Sequence, residues 1–185
     1  TTGIAIISMN GIVVSKRLKM AGDYLNQEIL KGVKEEMKLH IGEPTAEEIK
    51  MAVGAAMPQT EHLEITIRGR DAASGLPREA VIKDTQVRYW LAKPVKTMIE
   101  SLKELIDETP PELAGDVFKN GIYLCGGGSL LRGVDQLMKK EIGVEVHLAD
   151  EPILCVSRGT GLMSENIGAY RNLLDNFSNS KIINL

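Results

Sequence analysis

At 185 residues the chain is long enough for one large or two small domains. A hydrophobic fraction of 43% with aromatics at 4% calls for an aliphatic, methionine-containing core, and a net charge of −3 removes the electrostatic basis for nucleic-acid binding. Cys125 and Cys155, both in apolar stretches, make no disulfide framework and point to a reducing cytoplasm; there is no signal peptide, and no apolar run approaches the ~18 residues of a membrane span.

The chain opens on Thr1 and Thr2, directly on a strand and without a methionine, which reads as a fragment or processed product. Gly3 to Ser8 alternates around Ile4, Ile6 and Ile7. Asn10 and Gly11 form the strongest short hairpin signal, and Ile12 to Ser15 returns. Lys16, Arg17 and Lys19 continue the strand with exposed charge, while Leu18 and Met20 face inward. Asp23 is placed to cap a helix whose apolar stripe is Tyr24, Leu25, Ile29, Leu30, Val33 and Met37. After the break at Gly42, Glu43 and Pro44, Thr45 and Glu48 read as a capping box for a second helix with Ile49, Val53 and Ala56 on its apolar face. Glu47 and Lys50 share a face of that helix; by themselves they read as a surface ion pair worth a few tenths of a kcal/mol.

His62 to Arg70 alternates, with Leu63, Ile65 and Ile67 on one side, so it predicts a half-buried strand paired with a second at Arg78 to Lys83. Asp84 is expected to cap a short helix that carries Val87, Trp90 and Leu91 and is interrupted by Pro94. Trp90 reads as a core plug. A stronger helix comes next, with Val95, Met98, Ile99, Leu102, Leu105 and Ile106 at helical spacing, ending at Thr109 to Glu112. Leu113 to Phe118 adds a helical turn.

Ile122, Tyr123, Leu124 and Cys125 have the apolar pattern of a short strand covered on both faces, and Gly126, Gly127 and Gly128 come directly after. Leu130, Leu131, Val134, Leu137 and Met138 then recur at helical spacing. Three successive glycines are costly in entropy and suit a backbone that turns tightly and lets a flat or anionic group approach. Strand, glycine turn and helix in that order make a nucleotide cradle; the triplet reads equally well as a ligand-free connection. The third glycine of a dinucleotide-binding fingerprint and the Lys-Ser or Lys-Thr of a phosphate-binding P-loop are both lacking. Val144, Val146 and Leu148 predict another strand. Pro152 sits near the start of a last helix, in which Gly159 and Gly161 permit close packing. Asp175 to Leu185 reads as a frayed polar tail. His40, His62 and His147 have no metal-ligand spacing, and no nucleophile motif or internal repeat appears.

Several of these segments together resemble the C-terminal half of the bacterial MreB-type actins, cytoskeletal ATPases that set rod cell shape. They are Thr1-Thr-Gly-Ile-Ala-Ile-Ile-Ser8, Ala21-Gly-Asp23, Ile41-Gly-Glu-Pro-Thr-Ala-Glu-Glu-Ile-Lys50, Ile67-Arg-Gly-Arg-Asp71, Gly75-Leu-Pro77, Pro110-Pro-Glu-Leu113, Leu124-Cys-Gly-Gly-Gly-Ser-Leu-Leu-Arg-Gly133 and Cys155-Val-Ser-Arg-Gly-Thr-Gly161. Each motif is weak alone; they occur in family order from Thr1 to about Glu165.

The resemblance implies an α/β fold, the second domain of an actin-like ATPase. Residues 1–23 and 94–170 would form an inner RNase H-like subdomain, residues 24–93 an inserted α+β outer subdomain, and residues 171–185 a polar tail. It also implies nucleotide-binding roles. Gly126, Gly127 and Gly128 would form the adenosine motif, and Leu131 would also contact the nucleotide. Glu47 and Lys50 would flank adenine and ribose, and Gly22 and Asp23 would lie near the sugar. Thr1 and Thr2 would end the second phosphate loop. Gly159 and Gly161 would belong to the hinge helix packed on the first domain.

ATP or ADP with Mg²⁺ would be shared with the N-terminal half. That half would supply the first phosphate loop, the metal-binding aspartate and the group that positions water, so this chain alone is not expected to hydrolyse ATP and holds no catalytic or metal-ligating residue. Implied partners are further copies in a filament and a membrane-anchored cell-shape protein on the inner subdomain, with no nucleic acid and no direct membrane segment. The implied location is the cytoplasm, at the inner face of the membrane through the other half or through partners. Two alternatives remain open on the sequence alone: another actin-fold ATPase, a sugar kinase or an Hsp70-like chaperone, and a non-enzymatic interaction module.

Overall fold

A computed structural model describes residues 1–9, 11–168 and 170–171. Strands β1 (Thr2–Ser8) and β2 (Gly11–Leu18) form the expected antiparallel hairpin, with Ile4 opposite Lys16 and Ile6 opposite Val14. Asn10 of the turn lies outside the described residues.

Helix α1 (Gly22–Met37) buries Leu25, Ile29 and Val33, the stripe its spacing predicts. Its cap differs from expectation. Ala21 holds the cap position with no side-chain cap, and Asp23 sits inside the first turn, where a carboxylate still favours the helix N-terminus. Helix α2 (Glu43–Val53) likewise starts earlier than predicted. Gly42 is the cap, Pro44 lies in the first turn where its fixed φ is already helical, and Thr45 and Glu48 are interior rather than a capping box. Strands β4 (Glu64–Asp71) and β5 (Pro77–Lys83) pair antiparallel, and a two-residue strand, β3 (Leu39–His40), which the sequence did not suggest, adds to the other edge of β4.

Helix α3 (Asp84–Asp107) runs unbroken through Pro94. Lys83 is its cap and Asp84 its first residue, so neither the expected Asp84 cap nor the break is present. An internal proline costs about 3 kcal/mol. Val87, Trp90, Leu91, Val95, Ile99, Leu102 and Leu105 are all buried along this one helix, each worth about 1.5–3 kcal/mol, so tertiary packing outweighs the local penalty. Helix α4 (Pro111–Asn120) is longer than the single turn expected.

Among the described residues, strand β6 (Ile122–Leu124) pairs in parallel with β7 (Val146–Leu148) alone. It is not covered on both faces: Tyr123 is 70% exposed and tilted against His147, and Cys125 is exposed. Helix α5 (Val134–Ile142) starts after Gly133, so Leu130 and Leu131 precede it instead of forming its first turn. A short 3₁₀ turn, Pro152–Leu154, leads into α6 (Cys155–Glu165). Among the described residues, a Cβ at Gly159 or Gly161 of α6 would meet no atom within 4 Å. The expected tail falls outside the described residues apart from Arg171.

The main core lies where α1, α2 and the first half of α3 cover the β3–β4–β5 sheet. Helix α3 also meets the β1–β2 hairpin and α5, with Glu104 paired to Lys16 of β2 and Lys103 to Glu141 of α5.

Candidate functional site

The glycine turn is built at the end of β6. Gly126 adopts φ 83° and ψ 168°, a region in which an L side chain is strained. Its N–H donates to the Pro152 carbonyl at 2.7 Å, and its own carbonyl accepts from the Ser129 amide at 3.2 Å and the Ser129 hydroxyl at 2.6 Å. Gly127 to Leu130 close one 3₁₀ turn. Among the described residues, a Cβ built on Gly126, Gly127 or Gly128 would meet nothing within 4 Å, and neither Gly127 nor Gly128 has a left-handed torsion. The fold therefore demands glycine at Gly126 only; the other two leave an open backbone face.

Arg132, just past the turn, joins it to α2. Its Nε donates to the Gly54 carbonyl at 3.0 Å and its Nη2 to the Val53 carbonyl at 2.9 Å. Its own carbonyl accepts the Ala56 amide at 2.8 Å, within a parallel bridge between Ala55 and Arg132. A guanidinium on the last carbonyls of a helix also complements the helix dipole. Leu131 packs against the main core, and a Cβ on Gly54 would lie 3.1 Å from its Cδ1.

One helical turn earlier, Lys50 accepts the Gly54 amide on its carbonyl at 3.0 Å. Its side chain, 15% exposed, donates from Nζ to the Gly22 carbonyl at 3.3 Å and lies 3.7 Å from Oε1 of Glu47, which is 58% exposed. Thr2 donates from Oγ1 to the Met20 carbonyl at 2.6 Å, which holds the start of β1 beside the segment entering α1. Thr1 and Asp23 are exposed. Gly22, Glu47 and Lys50 are thus drawn together, and Gly126, Gly127, Gly128 and Leu131 are tied to the same helix through Arg132. Arg132 received no role from the sequence reading, although the Leu-Leu-Arg-Gly run that contains it carries part of the resemblance.

The perturbed carboxylates lie elsewhere. Hydrogen bonds from Ser74, then from Ala73, hold Asp71 below the ordinary aspartate range, helped by Arg78. Lys103 and Lys139 do the same for Glu141 and Glu145 respectively. An open cavity of about 210 Å³ lined by His62, Leu63, Glu64, Lys83, Asp84 and Thr85 shares no residue with the glycine-turn group. Among the described residues, no three His, Cys, Asp or Glu side chains are grouped to hold a metal ion, and no helix is long and apolar enough to cross a membrane.

The MreB/Mbl protein family model matches residues 1–172. The chain belongs to the MreB/Mbl family. The cell shape-determining protein Mbl of Bacillus subtilis (strain 168) is 46% identical over 167 residues, which are 90% of this chain and 50% of that protein. The cell shape-determining protein MreB of Escherichia coli (strain K12) is 38% identical over 170 residues, 92% of this chain and 49% of that protein. This MreB/Mbl chain therefore spans about half the length of the curated relatives it matches. The crystal structure of MreB5 of Spiroplasma citri bound to ADP superposes with a TM-score of 0.87 at 35% identity, covering 96% of this chain and 52% of that one. The MamK double helical filament, at 22% identity and a TM-score of 0.63 over 75% of this chain and 42% of its own, shares the fold. The α/β architecture is actin-like, as the resemblance implied.

Proposed function

We propose that this chain is the second half of an adenine-nucleotide-binding, filament-forming protein that directs cell shape. The observation that carries the reading is the open backbone of Gly127 and Gly128, where the fold itself does not call for glycine, joined through Arg132 to the helix bearing Glu47 and Lys50. Relatives of MreB/Mbl type are named for cell shape, MreB5 of Spiroplasma citri is described bound to ADP and to AMPPNP, and MamK is described as a filament. Those names weigh against the sugar-kinase, Hsp70-like and interaction-module alternatives.

The residues present fit an adenine nucleotide. Without side chains at Gly126, Gly127 and Gly128, the turn lets a flat ring or sugar approach the backbone. The Glu47 carboxylate accepts hydrogen bonds from sugar hydroxyls or a base amine, and Lys50, steadied on the Gly22 carbonyl, donates. Gly22 and Asp23 border the sugar side, Leu131 backs the turn, and Thr1 and Thr2 enter from the phosphate side. ATP supplies a phosphoanhydride bond whose cleavage releases phosphate. Mg²⁺ and the group that orients water would come from the half of the protein outside this chain, so hydrolysis is a property of the whole protein. Nucleotide held between the halves favours their closed arrangement, and hydrolysis loosens it, a hinge-type switch.

In this reading residues 1–23 and 94–170 form the inner subdomain, residues 24–93 the outer one, and residues 171–185 a tail. Gly159 and Gly161 of α6 have open space to receive the other half. Copies associate end to end, a membrane-anchored cell-shape protein binds the inner subdomain, and the filament lies in the cytoplasm along the inner face of the membrane.

The test is sedimentation of the full-length protein carrying this chain, with and without ATP and Mg²⁺, beside a Gly127→Asp variant. The expected result is pelleting that depends on ATP and is lost in the variant. A protein that binds or cleaves ATP yet stays soluble at every concentration points to the kinase-like or chaperone-like alternative; one that binds no nucleotide points to the interaction module.

A further inference from the structure

We propose that Arg132 is the positioning residue that sets the spacing between the glycine turn and the Glu47–Lys50 face of α2. The inference rests on the nucleotide reading above. Any ligand that touches both Gly126–Gly128 and Glu47 or Lys50 spans two segments far apart in the chain. The polar ties that link them are local. The guanidinium fork takes two successive carbonyls, of Val53 and Gly54, at 2.9 and 3.0 Å. The Arg132 carbonyl takes the Ala56 amide at 2.8 Å. A planar fork with two donors fixes both distance and angle, which a lysine ammonium cannot do.

On the other side of the same helix turn, Lys50 is held on Gly22. α2 is therefore gripped at Lys50 by α1 and at Val53 and Gly54 by an arginine just past the glycine turn. Its burial does not depend on this grip, because Ala46, Ile49 and Val53 are almost wholly enclosed by the main core. Removing the fork leaves α2 folded and tied to the turn only by the Ala56–Arg132 backbone bond and by Leu131, so the angle between them loosens, and the loss falls on ligand affinity and on selection of the base.

The experiment uses the full-length protein and three forms: wild type, Arg132→Gln and Arg132→Lys. Affinities for ATP and GTP are measured by calorimetry, and melting is followed without nucleotide. Arg132→Gln is expected to bind ATP on the order of tenfold more weakly, with a reduced preference for ATP over GTP, and Arg132→Lys to fall between it and wild type. A lowered melting temperature with wild-type ATP affinity and wild-type ATP/GTP preference would mean that Arg132 only stabilises the fold, and the inference would be overturned. Hydrogen exchange on the wild type covers the case in which the variants do not fold. ATP should slow exchange of the Ala56 amide, and an unchanged rate in the presence of bound ATP counts against the proposal. If the wild type binds neither ATP nor GTP, the nucleotide reading itself fails and this inference falls with it.

Discussion

Gly32 of α1 lies directly against the Trp90 ring of α3: a Cβ built on Gly32 would come within 2.3 Å of Trp90 Cδ2. Trp90 is 7% exposed, and its Nε1–H donates to Glu36 Oε1 at 2.7 Å, so the ring is held at both its face and its edge. Helix α1 accepts a glycine at its centre because this contact is where α1 and α3 meet.

Gly32→Ala is expected to destabilise the protein. Overpacking a closed core costs about 1–3 kcal/mol, against a gain of about 1 kcal/mol in helix propensity. The overlap is with a rigid ring rather than a flexible tip, so the penalty should win. Urea unfolding followed by Trp90 fluorescence checks this; a midpoint above that of the wild type would contradict the close contact.

Asp71 ties the β4–β5 turn. Its Oδ1 accepts the Ala73 and Ser74 amides at 3.0 and 2.9 Å and the Ser74 hydroxyl at 3.0 Å, and its Oδ2 meets Arg78 Nε at 2.9 Å. The hydrogen bonds from Ser74 lower its pKa most, and Arg78 adds to them. A carboxyl depressed in the folded state stabilises fully above its unfolded value, about 4, and loses that contribution as pH falls through the lower folded value. Exchange of the Ala73 and Ser74 amides should therefore show increasing loss of protection as the solution is acidified below that range. In Asp71→Asn this acid-dependent part should be missing; the same acid response in both proteins would assign it to another group.

The glycines of the turn should separate by backbone strain. Gly126→Ala forces an L side chain to φ 83° and ψ 168°, at a cost of about 1–3 kcal/mol. Gly127→Ala has open space and no left-handed torsion, so its stability should stay within about 0.5 kcal/mol of wild type. Its affinity for ATP in the full-length protein should nevertheless fall. Thermal unfolding without nucleotide, followed by ATP titration, reads both effects. Equal destabilisation by the two substitutions would mean that the whole turn needs glycine for folding.

The elements that the sequence alone determined are those set by local periodicity. Alternation around Ile4 and Ile6 and around Ile65 and Ile67 specified the two hairpins, and the spacing of Leu25, Ile29 and Val33 specified the buried face of α1, because side-chain direction repeats every 2 residues in a strand and every 3.6 in a helix. The same local reading found the glycine turn, and the order of several weak motifs pointed to the MreB-type actins. Local rules failed where distant contacts compete with them. Pro94 stays in a continuous α3 because Leu91, Val95 and Ile99 are buried on both sides of it. Leu130 and Leu131 stay out of α5 because Arg132, the next residue, bridges to Ala55. The caps moved to Ala21 and Gly42, where the chain geometry rather than a side-chain oxygen begins each helix. The candidate site divides in the same way. Gly126, Gly127, Gly128, Glu47 and Lys50 were named from sequence, but only the tertiary structure decided that one arginine joins them, since its partners are backbone carbonyls nearly eighty positions away and carbonyls look alike in every sequence.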